Sequence, residues 1–335
     1  MDSTPVDQHI RNALVHEEIE LSSTHSTSAI FDNTNAIHSI GANTYRTILL
    51  YFLVANLWTL VMTGIPVITE VGPDTYYENH PNWYTGDDVI RFMEPMGGSL
   101  LNALVLYKSG IFRSEGKDFG ASTLVCISFF IFGLALYGQG AGFHSAAAMF
   151  KNSLETLQNV DDDRLDSLHY YMRTVWEHGV SHYLYAAGLA IMQVAQAWAY
   201  RSHTYSLSEQ TNTADQRYFF LILGLAVLIY AILMVAVILQ FPSGTIVGFL
   251  FLTLYGCGVI GGYHCYLWRC DHQRKQLEQT AEGLPNRQEL KSILSIGRLP
   301  VLNYFLYSYL LALFLLVLWI IVVGGFKSRK EAGYN

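Results

Sequence analysis

Six long apolar runs constrain this chain more than anything else in it. They cover about 47–68, 121–143, 179–200, 217–241, 244–268 and 302–326. Each is close to the roughly 20 residues that a helix needs to cross a bilayer. The rest of the composition agrees with that reading. Only 14% of the residues are charged and 51% are hydrophobic, whereas soluble domains run near a quarter charged. The expected fold class is therefore an all-α integral membrane protein whose first partner is the lipid bilayer. A formal net charge of -7 argues against a nucleic-acid partner.

A shorter run over about 96–112 completes the count. With Val89 to Pro95 added it is long enough to span, and with it the connecting loops alternate consistently between two sides. The expectation is a seven-transmembrane-helix bundle over 45–326, a polar and largely disordered tail over 1–44, and a short C-terminal tail over 327–335. The side that holds the N-terminal tail receives Lys108, Arg113, Lys117, Arg201, Arg269 and most of the other basic loop residues. Basic short loops stay in the cytoplasm. The N-terminus is thus expected to be cytoplasmic and the C-terminus lumenal or extracellular, although Lys327-Ser328-Arg329-Lys330 runs against the bias. The first forty residues have no apolar core segment, so the first helix is expected to act as its own insertion signal. None of Cys126, Cys257, Cys265 and Cys270 falls in a lumenal loop, where a disulfide would persist.

Polar residues inside this apolar frame point to a site. His178 and His182 are four apart, so a helix puts both imidazoles on one face, one turn apart. His144 ends the preceding crossing. The two crossings are consecutive and antiparallel, which sets His144 at the same lumenal depth as the pair. Glu94, Glu177, Asn102, Gln139 and Glu70 fall in the same half of the membrane. Ionisable groups at membrane depth are costly and often mark working sites. Two histidines from one helix and a third from elsewhere, with one position left open, is how catalytic zinc is commonly held. Such a site acidifies water and polarises a carbonyl or phosphoryl oxygen. The expected metal ligands are His144, His178 and His182, with Glu94 or Glu177 as general base or supporting carboxylate. Imidazoles also suit iron and copper, so both remain alternatives to zinc. Gly138, Gly140 and Gly142 precede His144 and offer either a close helix contact or a bend.

Seven crossings with His178-Gly179-Val180-Ser181-His182 resemble the seven-helix membrane zinc hydrolases that include alkaline ceramidases and adiponectin-type receptors. There, three histidines and a carboxylate-assisted water lie within the bundle. In that group the paired histidines lie on the last crossing, and here they lie on the fourth. The resemblance therefore implies a lipid-facing zinc hydrolase and assigns no residue roles. The function expected is hydrolysis of a lipid or small amphiphile at a His-ligated metal near the lumenal interface. A His-ligated iron or copper oxidase is one alternative. A non-enzymatic seven-helix receptor or transporter with buried His and Glu is the other.

Overall fold

The computed structural model describes residues 38–39, 42–68, 86–112, 120–155, 163–201, 203–204, 213–240, 243–269 and 299–334. The tail expected over 1–44 falls almost wholly outside them, as do Glu70, the loop that includes Asp161 and Asp162, and Cys270. The described chain is helical, apart from a two-residue parallel pairing of His38–Ser39 with His203–Thr204.

The helices follow the apolar runs. In order they are α1 (Ala42–Ile68), α2 (Gly86–Lys108), α3 (Ala121–Glu155), α4, α5 (Thr213–Gln240), α6 (Gly244–Arg269) and α7 (Pro300–Val323). Helix α4 is one rod in three stretches: Asp163–Tyr171, a wide turn over Met172–Val180, and Ser181–Ala199. In the wide turn the Ser181 N–H donates to the Trp176 carbonyl, five residues back, which is the π-type pattern. Helix α6 carries a second such turn over Leu252–Ile260. Pro300 opens α7 at a position where its missing N–H costs nothing. Gly324 closes it with φ +72, a conformation a residue with a Cβ rarely adopts.

Among the described residues five helices are long and apolar enough to cross a membrane: α1, α3, α5, α6 and α7. The protein is a multi-pass membrane protein. Its outward faces carry large apolar residues such as Leu50, Val54, Phe129, Ile131, Leu254 and Phe314, which lipid covers. Helix α2 is weakened as a span by Glu94 and by Pro95 within it. It begins at Gly86, ten residues before the apolar run that predicts it, and continues through Pro95.

The first half of α7 is the centre of the bundle. Leu302, Tyr304, Phe305 and Tyr309 are all buried. Phe52 of α1 stacks on Tyr304 at 4.4 Å and meets Phe305 edge-on at 5.5 Å. The most extensive contact in the fold is α3 against α4, and glycines make it close. A Cβ on Gly133 would stand 2.8 Å from the Gly188 carbonyl oxygen. One on Gly188 would stand 2.4 Å from the Tyr137 nitrogen, and one on Gly140 would stand 2.6 Å from the Tyr185 nitrogen. Small residues allow this backbone approach between membrane helices. Of the three alternating glycines before His144, only Gly140 makes it. Gly138 and Gly142 have nothing within 4 Å. The seam fixes the register of the two helices, and with it the site.

Candidate functional site

Running α3 and α4 antiparallel across this seam brings the three imidazoles together. The rings of His144 and His182 lie 5.5 Å apart and nearly parallel, at 29°. The rings of His178 and His182 lie 5.7 Å apart and nearly perpendicular, at 81°. Two imidazoles that share one zinc, each nitrogen about 2.0–2.1 Å from it, hold their ring centres about 5 Å apart. The spacing of the rings therefore fits one ion. As the side chains stand, no group of three His, Cys, Asp or Glu among the described residues is already arranged to hold a metal. The stacked faces of His144 and His182 account for that, since stacking turns the ring nitrogens of the pair parallel and not convergent. Among the described residues His178 Nδ1 is buried and has no hydrogen-bond partner, so coordinating capacity remains at this position.

The wide turn of α4 aims these groups. It ends at Val180, between His178 and His182, so the pair straddles a change of helical pitch. A regular helix is the simpler expectation for a four-residue spacing, and the structure corrects it. Turns of this kind occur often at functional sites. Within the turn Glu177 is buried, with 3% exposure. It faces α3, where its Oε1 accepts from Lys151 Nζ at 3.3 Å. Its Oε2 is buried and without a hydrogen-bond partner among the described residues. The Ser181 hydroxyl donates back to the Glu177 carbonyl, and Trp176 packs on Phe143 at 5.3 Å. Each contact ties the turn to α3 or to its own rod.

No protein-family model, characterised protein or solved structure matches the chain. The chemistry of the site has to be read from its own side chains.

Glu94 belongs to a second group, deeper along the same seam. Its Oε1 accepts from three hydroxyls: Thr59 of α1 at 2.7 Å, Tyr137 of α3 at 2.7 Å and Tyr185 of α4 at 3.0 Å. Tyr185 stands three residues beyond His182, so this group lies about one helical turn inside the imidazoles. The backbone carbonyl of Glu94 accepts from Trp58 Nε1 at 2.9 Å. Four helices meet at one carboxylate. The two carboxylates expected to assist the metal thus stand at different levels, Glu177 beside His178 and Glu94 below.

Asn102 turns away from both groups. It donates to the Gly98 carbonyl at 2.9 Å and accepts from Gln196 at 3.1 Å. Gln139 is exposed on the outside of α3. His264 lies apart from the cluster, with Nε2 2.7 Å from Asn303 Oδ1. Sequence reasoning missed Thr59, Tyr137 and Tyr185. A chain with 22 tyrosines offers many that sit at the membrane interfaces, and only the seam register separates two of them from that crowd. It also missed a tyrosine cluster at the bundle centre. There Gln193 bonds the hydroxyls of both Tyr230 and Tyr309, and Asn56 donates to Tyr304 at 3.0 Å.

Proposed function

We propose that this chain is a seven-crossing membrane metalloenzyme, a hydrolase of a lipid or small amphiphile, with its N-terminus cytoplasmic. The observation that carries the proposal is the meeting of His144, His178 and His182 from two neighbouring helices at ring spacings of 5.5 and 5.7 Å. Small side-chain rotations would turn three nitrogens toward one zinc. When bound there, the metal would polarise a carbonyl or phosphoryl oxygen and ease deprotonation of water. Glu177 is the carboxylate beside the cluster. Lys151 holds one of its oxygens and leaves the other able to accept a proton. Counting α2 and α4 as crossings puts this group near the lumenal interface, within reach of a substrate in the bilayer.

Elemental analysis of the purified full-length protein tests the proposal. About one zinc per chain is expected, and both His182→Ala and His144→Ala should lose it while the helix content is kept. Iron or copper in place of zinc would favour an oxidase. Metal-free protein after growth with each of these metals would remove the enzymatic reading. A second reading draws on Glu94. A carboxylate buried among four helices is also how receptors and transporters place a titrating group, and it needs no metal.

A further inference from the structure

Gln139 places a polar amide on the outside of a membrane helix. The crossing segment of α3 runs from Ala121 to Lys151. Any stretch of about 20 residues within it, the length that spans the hydrocarbon layer, includes Gln139. Exposed Phe129 and Phe132 before it and exposed Phe150 after it carry the lipid-facing surface past it in both directions. The side chain is exposed, and its amide offers two donors and an acceptor. Lipid tails bond none of these, and an unbonded polar group in hydrocarbon is costly.

The surface around the amide permits close approach. Ala135, Gly138, Gly142 and Ala146 share its face at three- and four-residue steps, and all four are exposed. A Cβ at Gly138 or Gly142 would meet nothing within 4 Å. Gly133 and Gly140 of the same helix make the backbone contact with α4. Residues two apart differ by about 200° around a helix, so the open face lies on the far side of the rod from that seam. Toward the start of α3 the outer face turns bulky at Ile131 and Phe132. Close approach is thereby confined to the turns that carry Gln139.

We propose that this face binds a second copy of the chain, α3 against α3, with the two Gln139 amides bonded to each other across a two-fold axis. The chemistry selects the occupant. Both copies insert the same way, so the axis of a dimer runs along the membrane normal and sets equal residues at equal depth. An amide is donor and acceptor at once, so one Gln139 satisfies the other. A different partner would have to bring its own polar group to this depth. Small residues at four-residue spacing let two membrane helices cross closely, and polar side chains between them hold the pair. The inference needs no metal and stands apart from the metalloenzyme reading.

Sedimentation equilibrium of the full-length protein in density-matched detergent tests it, with the helix content and melt of each variant as the check on folding. The parent should show a reversible equilibrium of monomer and dimer. Gln139→Leu should weaken the dimer about eightfold, which is two interhelical bonds at about 0.6 kcal/mol each. Gly142→Leu puts its side chain into space that its own chain leaves open. It should keep the parent's helix content and run as a monomer over the same concentrations. Leu254→Ala, on the outward face of α6, should leave the equilibrium unmoved. A parent that stays monomeric at every ratio of protein to detergent would overturn the inference. So would a dimer as strong in Gln139→Leu as in the parent, or one weakened as much by Leu254→Ala as by Gly142→Leu. If Gly142→Leu loses helix content, Gln139→Leu decides alone.

Discussion

The seam between α3 and α4 carries polar side chains at two levels, and the two are built differently. At the inner level Glu94 Oε1 takes three hydroxyl donors from three helices, and the two tyrosine oxygens stand 3.1 Å apart. At the outer level His178 Nδ1 and Glu177 Oε2 are buried without hydrogen-bond partners among the described residues. An unsatisfied polar atom away from water costs about 1–3 kcal/mol. The inner level meets that cost by bonding within the bundle, and so it serves packing. The outer level leaves both atoms without a partner among the described residues. Depth alone does not separate a structural polar cluster from a working one. Unspent bonding capacity does.

Opening the seam should disturb both levels and produce the largest effect. Gly188→Val sets a side chain against the Tyr137 backbone, where even a Cβ would stand 2.4 Å from the nitrogen. Backbone cannot yield as a side-chain tip can, so a loss of about 3 kcal/mol or more is expected, at the upper end of overpacking costs. Thermal unfolding in detergent would show it, and Gly138→Ala, with open space around it, should melt like the parent. If Gly188→Val melts normally, the seam is not what sets the register.

Breaking the inner level alone should come next. Glu94→Ala strands three donors. At about 0.6 kcal/mol for an interhelical bond in a membrane, the loss is about 2 kcal/mol, and Glu94→Gln, which keeps an acceptor, should lose less. Metal binding at the outer level should survive both. If Glu94→Gln abolishes metal binding while melting normally, the two levels are one site and the comparison fails.

At the outer level Glu177→Gln should cost little stability. The pair with Lys151 is partly exposed on the lysine side, and such pairs are worth about 1 kcal/mol or less. Zinc content should be kept in this variant while any hydrolysis falls. Loss of the metal would mean that Glu177 itself is a ligand.

Much of this layout was legible in the sequence. The runs of apolar residues marked the helices, and the four-residue spacing together with loop parity set His144 at the depth of His178 and His182. The inner level was not legible. Tyr137, Tyr185 and Thr59 are hydroxyls in apolar runs, and their meeting depends on which residues of α3 and α4 stand opposite each other. That register is set by Gly133, Gly140 and Gly188 packing as a set, and no one of them announces its partner. The wide turn over Met172–Val180 was not legible either. It is a change of hydrogen-bond pattern at unchanged backbone sign, and no proline marks it. The position of Lys330 was hidden because a short basic tail reads as a topology signal until Arg329, Trp319 and Glu331 are seen to pin it.

That pinning gives the smallest effect and the finest test of the comparison. The backbone N–H of Ser328, and then its hydroxyl, hold the Glu331 carboxyl below the ordinary carboxylate range. A depressed carboxyl contributes stability that is fully present above its unfolded value, near pH 4.3. The contribution is lost as pH falls through the lower, folded value. Hydrogen exchange at the Ser328 amide should thus be protected at neutral pH and lose that protection as pH falls below the ordinary carboxylate range, with Trp319 fluorescence changing in step as Tyr334 leaves. Glu331→Gln should show the looser tail at every pH. The global melt should hardly move in this variant, because the tail caps one end of the bundle and the inner level does not touch it.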